Sequence, residues 1–287
     1  MRLAEHPLQS PLAEVLAAPP GEAVRLYWLG QAGFVVEGGG RRVVVDPYLS
    51  NSLAEKYRGR RFAHERMMPP PVGPGEIAHV IAVLATHAHT DHLDPGTLPQ
   101  LLRNNPGASL VVPRSARDVA LERSGVGAER LIAIEAGERV ELPGLSIAAT
   151  RAAHETLERD GHGFHRFLGL AITLGGATIF HSGDTVPFDG QVEEVRALNA
   201  SLALLPVNGR DGERSANGVP GNMDMSEALE LCRAARIGAM IAHHFGLFSF
   251  NTVARETVEA LASRCDLPHA VAARIDRVYG LGPVQAG

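Results

Sequence analysis

Short apolar runs separated by glycine open the chain. Residues 24–29, 33–37 and 42–46 are three β-branched or aromatic runs, divided by Gly30 and by Gly38, Gly39 and Gly40 as hairpin turns would divide them. Residues 50–78 break the pattern. They are polar and proline-rich around Met67-Met68-Pro69-Pro70-Pro71 and predict a long surface loop, an element that in compact domains is usually functional or disordered. A buried strand follows at 79–86, then a short helix at 98–104 stopped by Asn105-Pro106-Gly107. Residues 109–112 predict a strand. Ser115 predicts the start of a helix, with Asp118 three residues on as its capping-box partner. Further strands are predicted at 131–134, 145–150, 168–174, 177–181 and 202–207. Asp224 and Glu227 give a second capping signature before a helix to Arg236, and a strand at 239–242 and a helix at 253–263 close the pattern. Hairpins at the start and alternating strands and helices later predict two mixed sheets with helices outside. With no linker or repeat, residues 1–287 read as one domain with a core over about 24–265.

Composition narrows the class. Hydrophobic residues make up 45% and charged residues 21%, ordinary for a globular protein. Lys+Arg 27 against Asp+Glu 32 gives a net charge of −5, which argues against a nucleic-acid binder, since that function needs a basic face. Lys56 is the only lysine. Cys232 and Cys265 lie far apart without a Cys-x-x-Cys pair, which excludes a disulfide framework and a thiolate zinc site. Residues 1–20 lack the basic start and unbroken apolar run of a secretory signal. No run of apolar residues is long enough to span a membrane. The expected compartment is the cytoplasm, with no membrane or nucleic-acid partner; an assembly of identical chains stays open.

The candidate chemistry centres on Thr86-His87-Ala88-His89-Thr90-Asp91-His92, where the strand at 79–86 opens into a loop. Residues at i and i+2 on extended chain share a face, so His87 and His89 can aim at one point while Asp91 and His92 serve another. Imidazole with carboxylate suits zinc, manganese or iron. Three later strands each deliver a candidate ligand just past the carboxyl end: His154, Asp184 (after His181) and His244 (beside His243). Ligands gather at that edge in open α/β sheets. His162 and His165 read as solvent-facing, and His6, His64, His79 and His269 belong to no cluster. Cys232 falls at helical spacing with Met225, Ala228 and Leu229 and reads as core.

With these residues in place, the chain resembles the metallo-β-lactamase superfamily, whose five motifs it carries in order from about Val24 to Asn251. The resemblance implies a four-layer αββα sandwich and a site for two divalent ions, zinc or manganese. Site one would be His87, His89 and His154. Site two would be Asp91, His92 and His244, with Asp184 bridging and Asp46 orienting a ligand imidazole from behind. Neighbours on a strand face opposite ways, so only one of His243 and His244 can be a ligand, and the family's spacing favours His244. Within the superfamily, residues 28–34, 46–50 and 205–210 resemble the branch containing L-ascorbate-6-phosphate lactonase.

The expected function is therefore a metal-dependent hydrolase whose metal-activated water attacks an ester or lactone bond of a small sugar acid, phosphorylated ones included. His181 or a water linked to Asp91 would protonate the leaving oxygen. Asn208 and Arg210 would bind substrate, Arg210 by gripping an anion; the competing reading of Arg210 is a surface ion pair with Asp211 or Glu213. The alternative function is a binuclear-metal phosphodiesterase acting on a nucleotide or phospholipid. A redox relative is disfavoured by His89, where the di-iron flavoproteins carry glutamate, and a true β-lactamase by Asp184. A glyoxalase-like thioesterase would carry a helical extension beyond the last ligand.

Overall fold

In the computed structural model, which describes residues 1–282, the apolar runs become strands of two mixed sheets. The first holds β1 (Arg2–Pro7), β2 (Val24–Gly30), β3 (Gly33–Gly38), β4 (Arg41–Val45), β5 (Val80–Leu84), β6 (Ser109–Pro113) and β7 (Leu131–Ile134). The second holds β8 (Arg139–Leu142), β9 (Leu145–Arg151), β10 (Leu168–Leu174), β11 (Ala177–His181), β12 (Leu202–Pro206), β13 (Ala239–His243) and β14 (His269–Ala272). β15 (Arg277–Gly282) returns to the first sheet between β1 and β2. β4 to β7 pair in parallel, as do β11 to β14, and the rest is antiparallel.

Period-two alternation sorts the layers. Leu26, Trp28, Phe34, Val36, Val43 and Val45 point between the sheets, toward Ile147, Leu170, Ile172 and Ile179. Their neighbours Tyr27, Leu29, Val35 and Val44 point outward. The helices are α1 (Leu12–Ala17), α2 (Ser52–Lys56), α3 (Leu98–Asn104), α4 (Arg117–Ser124), α5 (Gln191–Ala197), α6 (Gly212–Ala216), α7 (Met225–Ala235) and α8 (Arg255–Ala262). Leu12 and Leu16 of α1, Leu98, Leu101 and Leu102 of α3 and Ala120 of α4 cover the first sheet. Val195 of α5, Met225, Ala228, Leu229 and Cys232 of α7 and Val258 of α8 belong to the core around the second. The result is the four-layer αββα sandwich. The α7 start follows from its sequence: Asp224 accepts from the Glu227 amide at 2.9 Å while the Glu227 carboxylate accepts from the Asp224 amide at 3.0 Å, a device worth about 1 kcal/mol.

Several expectations shift. The sheets extend beyond residues 24–265, because β1 pairs with β15 and β14 lengthens the second sheet. Ser115 does not cap a helix; it lies in a 3-10 turn before α4, and its hydroxyl donates to the His165 carbonyl at 2.8 Å. His165 is buried, not solvent-facing, with its ring against the Glu135 carboxylate. Among the described residues no helix is long and apolar enough to cross a membrane.

Candidate metal centre and its cavity

β4, β5, β9, β11 and β13 all end at one edge of the sandwich, and the residues just past them converge there. The backbone has to bend unusually to achieve this. Gln31, Asp46 and His244 adopt left-handed φ values of 51°, 46° and 65°, strain of a kind that clusters at functional sites. Gly183 must be glycine, since at φ +62° a Cβ there would sit 2.9 Å from the Thr86 Cβ and 2.7 Å from the Leu168 carbonyl. That close pass carries Asp184 to the histidines.

Three overlapping groups of donor atoms result: His87, His89 and His154; Asp91, His92 and His244; and His87, His92 and Asp184 between them, the atoms of each within 4.8 Å of one another. Asp184 is central. Its Oδ2 lies 3.4 Å from His92 Nε2 and 3.7 Å from His154 Nε2, and its Oδ1 lies 3.2 Å from His244 Nε2. His243, by contrast, turns into the core against Phe34 and His181 at ring separations of 5.4 and 5.0 Å. Phe167 packs on His87, His89 and His154 at 5.0 to 5.6 Å and forms an apolar floor.

The surroundings fix which nitrogen faces the centre. Asp46 accepts from the Thr86 amide at 2.8 Å and the Thr86 hydroxyl at 2.7 Å, and its Oδ2 meets His92 Nδ1 at 2.7 Å. The Thr86 hydroxyl proton is thereby spent on Asp46, so its oxygen accepts from His87 Nδ1 at 3.0 Å. Both imidazoles turn a proton-bearing nitrogen outward, and the inner Nε2 of each is buried without a partner. The bare His87 lone pair and the carboxylates around His92, which favour positive charge there, fit a cation, and the hydrogen bond behind each of these two rings is the arrangement metal-bound histidines show.

Electrostatics divide the histidines. Burial holds His87 well below the ordinary imidazole range, helped by the charges of His92 and His89, and burial takes His154 down to about 4. At His92 burial pulls the same way but is outweighed by Asp184, Asp46 and Asp91, which raise it. Burial would raise Asp184, yet His244 and His92 hold it well below the usual carboxylate range.

The centre opens into a cavity of about 780 Å³. Its floor includes His89, Asp91, His154, Asp184 and His244, and one wall is Lys56, Tyr57, Arg60, Phe62 and His64 from the proline-rich loop. His64 is part of an aromatic stack, 4.4 Å from Tyr57 and 5.1 Å from Phe248. The loop thus does build the site, through residues that carried no recognisable motif.

Three expected site residues lie elsewhere. His181 is fully buried; its Nε2 donates to the Ala32 carbonyl at 2.8 Å and its Nδ1 accepts from the Gly183 amide at 3.0 Å, so it has no proton to offer the cavity. Arg210 grips Glu227 with two bonds of 2.6 and 2.7 Å, neither of the acids expected for it. Asn208 is buried, donating to Asn251 Oδ1 at 2.7 Å and accepting from Asn222 at 3.0 Å. Asn251 reaches the cavity and Asn208 supports it. Conversely, Gln31 was missed. Its Nε2 donates to Asp91 Oδ2 at 3.0 Å and lies 3.2 Å from His244 Nε2, and its backbone carbonyl accepts from the His244 amide at 3.0 Å. The only local signal was a polar residue inside an apolar hairpin.

An αββα sandwich with a buried histidine and aspartate cluster at its strand ends defines a protein of the metallo-β-lactamase fold built to bind metal. Residues 41–245 match the model of the Beta-lactamase superfamily domain, and the chain belongs to that family, among its metal-dependent hydrolases. It is similar to the UPF0173 metal-dependent hydrolase of Aeropyrum pernix, 29% identical over 240 residues that cover 78% of this chain and 83% of the relative. Among solved structures, Igni18, a metallo hydrolase from Ignicoccus hospitalis, shares the fold with a TM-score of 0.64 and 23% identity, over 90% of this chain and 98% of that one. An isothiocyanate hydrolase from Delia radicum gut bacteria does so with a TM-score of 0.66 and 19% identity, over 88% and 98%.

Proposed function

We propose that the protein binds two divalent ions, zinc or manganese, and hydrolyses an ester or lactone bond of a small organic acid, phosphorylated sugar acids included. The observation that carries this reading is the cavity. Its volume of about 780 Å³ suits a small molecule, and it opens directly on Asp184 and the histidines. His87, His89 and His154 would hold one ion and Asp91, His92 and His244 the other, with Asp184 shared. When bound, such a pair supplies an activated water and polarises a carbonyl.

The protein's own groups do the rest. Asp46, through Thr86 and directly, keeps His87 and His92 in the tautomer that presents Nε2. Gln31 holds Asp91 Oδ2 in place. Asp91 is the ligand carboxylate that solvent reaches, its side chain 17% exposed against 4% for Asp184. With His181 out of reach, the proton for the leaving oxygen passes by way of Asp91. The alternative of a phosphodiesterase draws on the cations of the cavity wall, Lys56, Arg60, Arg61 and Arg123.

The test is a turnover screen of the zinc- and manganese-loaded protein on lactones, phosphorylated lactones, aryl esters, isothiocyanates and phosphodiesters, with Asp184→Asn as the blank. Carbonyl hydrolysis well above the blank is expected. Turnover confined to phosphodiesters or isothiocyanates would replace the carbonyl reading.

A further inference from the structure

The space above the candidate ligands has two lobes that differ in the balance of charge on their walls. The large one is walled by Lys56, Arg60, Arg61 and Arg123. A smaller one of about 310 Å³ is lined by Glu155, Glu158 and Arg166, two acids against one base. Both lobes reach His89 and His154, so they meet at the centre.

The cations differ in availability. Arg61 pairs with Glu213 at 2.6 Å, and Arg123 donates to the carbonyls of Ala88 and Leu93 at 2.7 and 3.2 Å. Among the described residues Lys56 and Arg60 have no carboxylate partner. Beside them lies flat apolar surface: the Lys56 ammonium is 5.2 Å from the Tyr57 ring, and Tyr57 stacks on His64 at an angle of 20°. In the smaller lobe Glu155 is held by the Ser215 hydroxyl at 2.7 Å, and Glu158 has only Arg166 at 4.0 Å. An anion is therefore favoured in the large lobe over the small one, and a charged cleft wall raises the local concentration of the opposite charge.

We propose that Lys56 and Arg60 are the specificity residues of this site: it takes small ring-bearing molecules with an anionic group, the anion between those two cations and the ring against Tyr57 and Phe248. The reacting bond then lies over the ligands, and the uncharged remainder points toward Glu155. The turnover part of this statement rests on the hydrolase reading above; the binding part does not.

The experiment separates the two. Phenylphosphonate, benzoate and benzyl alcohol are titrated calorimetrically into the metal-loaded protein and into the Lys56→Glu, Arg60→Glu double variant, with far-UV circular dichroism and metal content as checks. Both positions are exposed, so both proteins should fold. The wild type should bind the anions more tightly than benzyl alcohol, the tighter anion naming the group preferred, and the variant should lose about tenfold in anion affinity, a change of about 1.4 kcal/mol. A loss under threefold, or no anion preference in the wild type, overturns the proposal. Should the charge reversal disturb folding, Lys56→Gln with Arg60→Gln is read against the same threefold limit. Anion binding lost in the variant, with no ester or lactone turned over, would sink the hydrolase reading alone. Turnover of esters with equal kcat/KM for charged and neutral members, unchanged by the variant, would sink this proposal alone.

Discussion

At the amino end of β4 the Arg42 guanidinium is wholly buried, yet all its donors are used. It binds Glu37 at 2.5 to 2.7 Å and the carbonyls of Leu16, Ala78 and Ala18 at 2.5 to 2.9 Å. Just past the other end of the same strand, Asp46 opens a second buried polar cluster. There the outer nitrogens of His87 and His92 are satisfied, but at the centre His87 Nε2, His92 Nε2 and Asp184 Oδ1 are not, and neither are Nδ1 of His154 and His244 behind them. One cluster is closed and pins α1 to the sheet. The other is left open at its centre, at a cost of about 1–3 kcal/mol for each unsatisfied buried group, which a bound cation offsets. A buried polar network that is complete is structure; one incomplete at convergent atoms is a site.

Breaking the open cluster should have the largest effect. Asp184→Asn keeps the shape and removes the charge, so turnover should fall by on the order of 10²- to 10³-fold, the scale of losing one electrostatic stabiliser, while the melting curve stays cooperative. Unchanged turnover would remove Asp184 from the centre. Breaking the closed cluster should do the opposite. Arg42→Met strands the Glu37 carboxylate and should cost about 3–5 kcal/mol in urea unfolding, with metal content per folded chain unchanged. The adjacent histidines then sharpen the contrast. His244→Ala should lower metal affinity and activity together, whereas His243→Ala should cost packing stability and leave metal content intact; equal metal loss from both would reverse the assignment. Gln31→Leu should weaken metal retention by about 10- to 100-fold, the usual effect of removing a group that orients a ligand, measured by chelator competition. Arg210→Ala should matter least. Its pair with Glu227 is part-exposed, so the loss should be about 0.2–1 kcal/mol of stability, with no difference in kcat/KM between charged and neutral substrates.

What could be read from the residues follows from where each interaction originates. His87, His89, Asp91 and His92 are neighbours in the chain, and extended geometry alone groups them. His154, Asp184 and His244 each follow a predicted strand, so topology groups them. Gln31 reaches the centre only through a left-handed turn and a contact with His244, 213 positions away, and neither is written in local sequence. Arg210 lies past the expected strand at the right edge, but its direction is set by Glu227 on α7, seventeen residues on. His181 is the last residue of the strand that Asp184 follows, yet it packs inward against Phe34 at 6.1 Å. β1 and β15 escaped notice because each is short and half-polar and finds its partner only at the far end of the chain.

The cavity wall also gives the protein an unusual chemical address. Lys56 is the only lysine in the sequence, and guanidinium groups stay protonated where an ε-amine can act as a nucleophile. An acylating reagent therefore meets a single side-chain amine, and it stands at the entrance to the candidate metal ligands. With the α-amine blocked first, a dye or affinity tag attached there would be a one-site reporter made without mutation, and its rate of attachment would measure how much of the time that entrance is occupied.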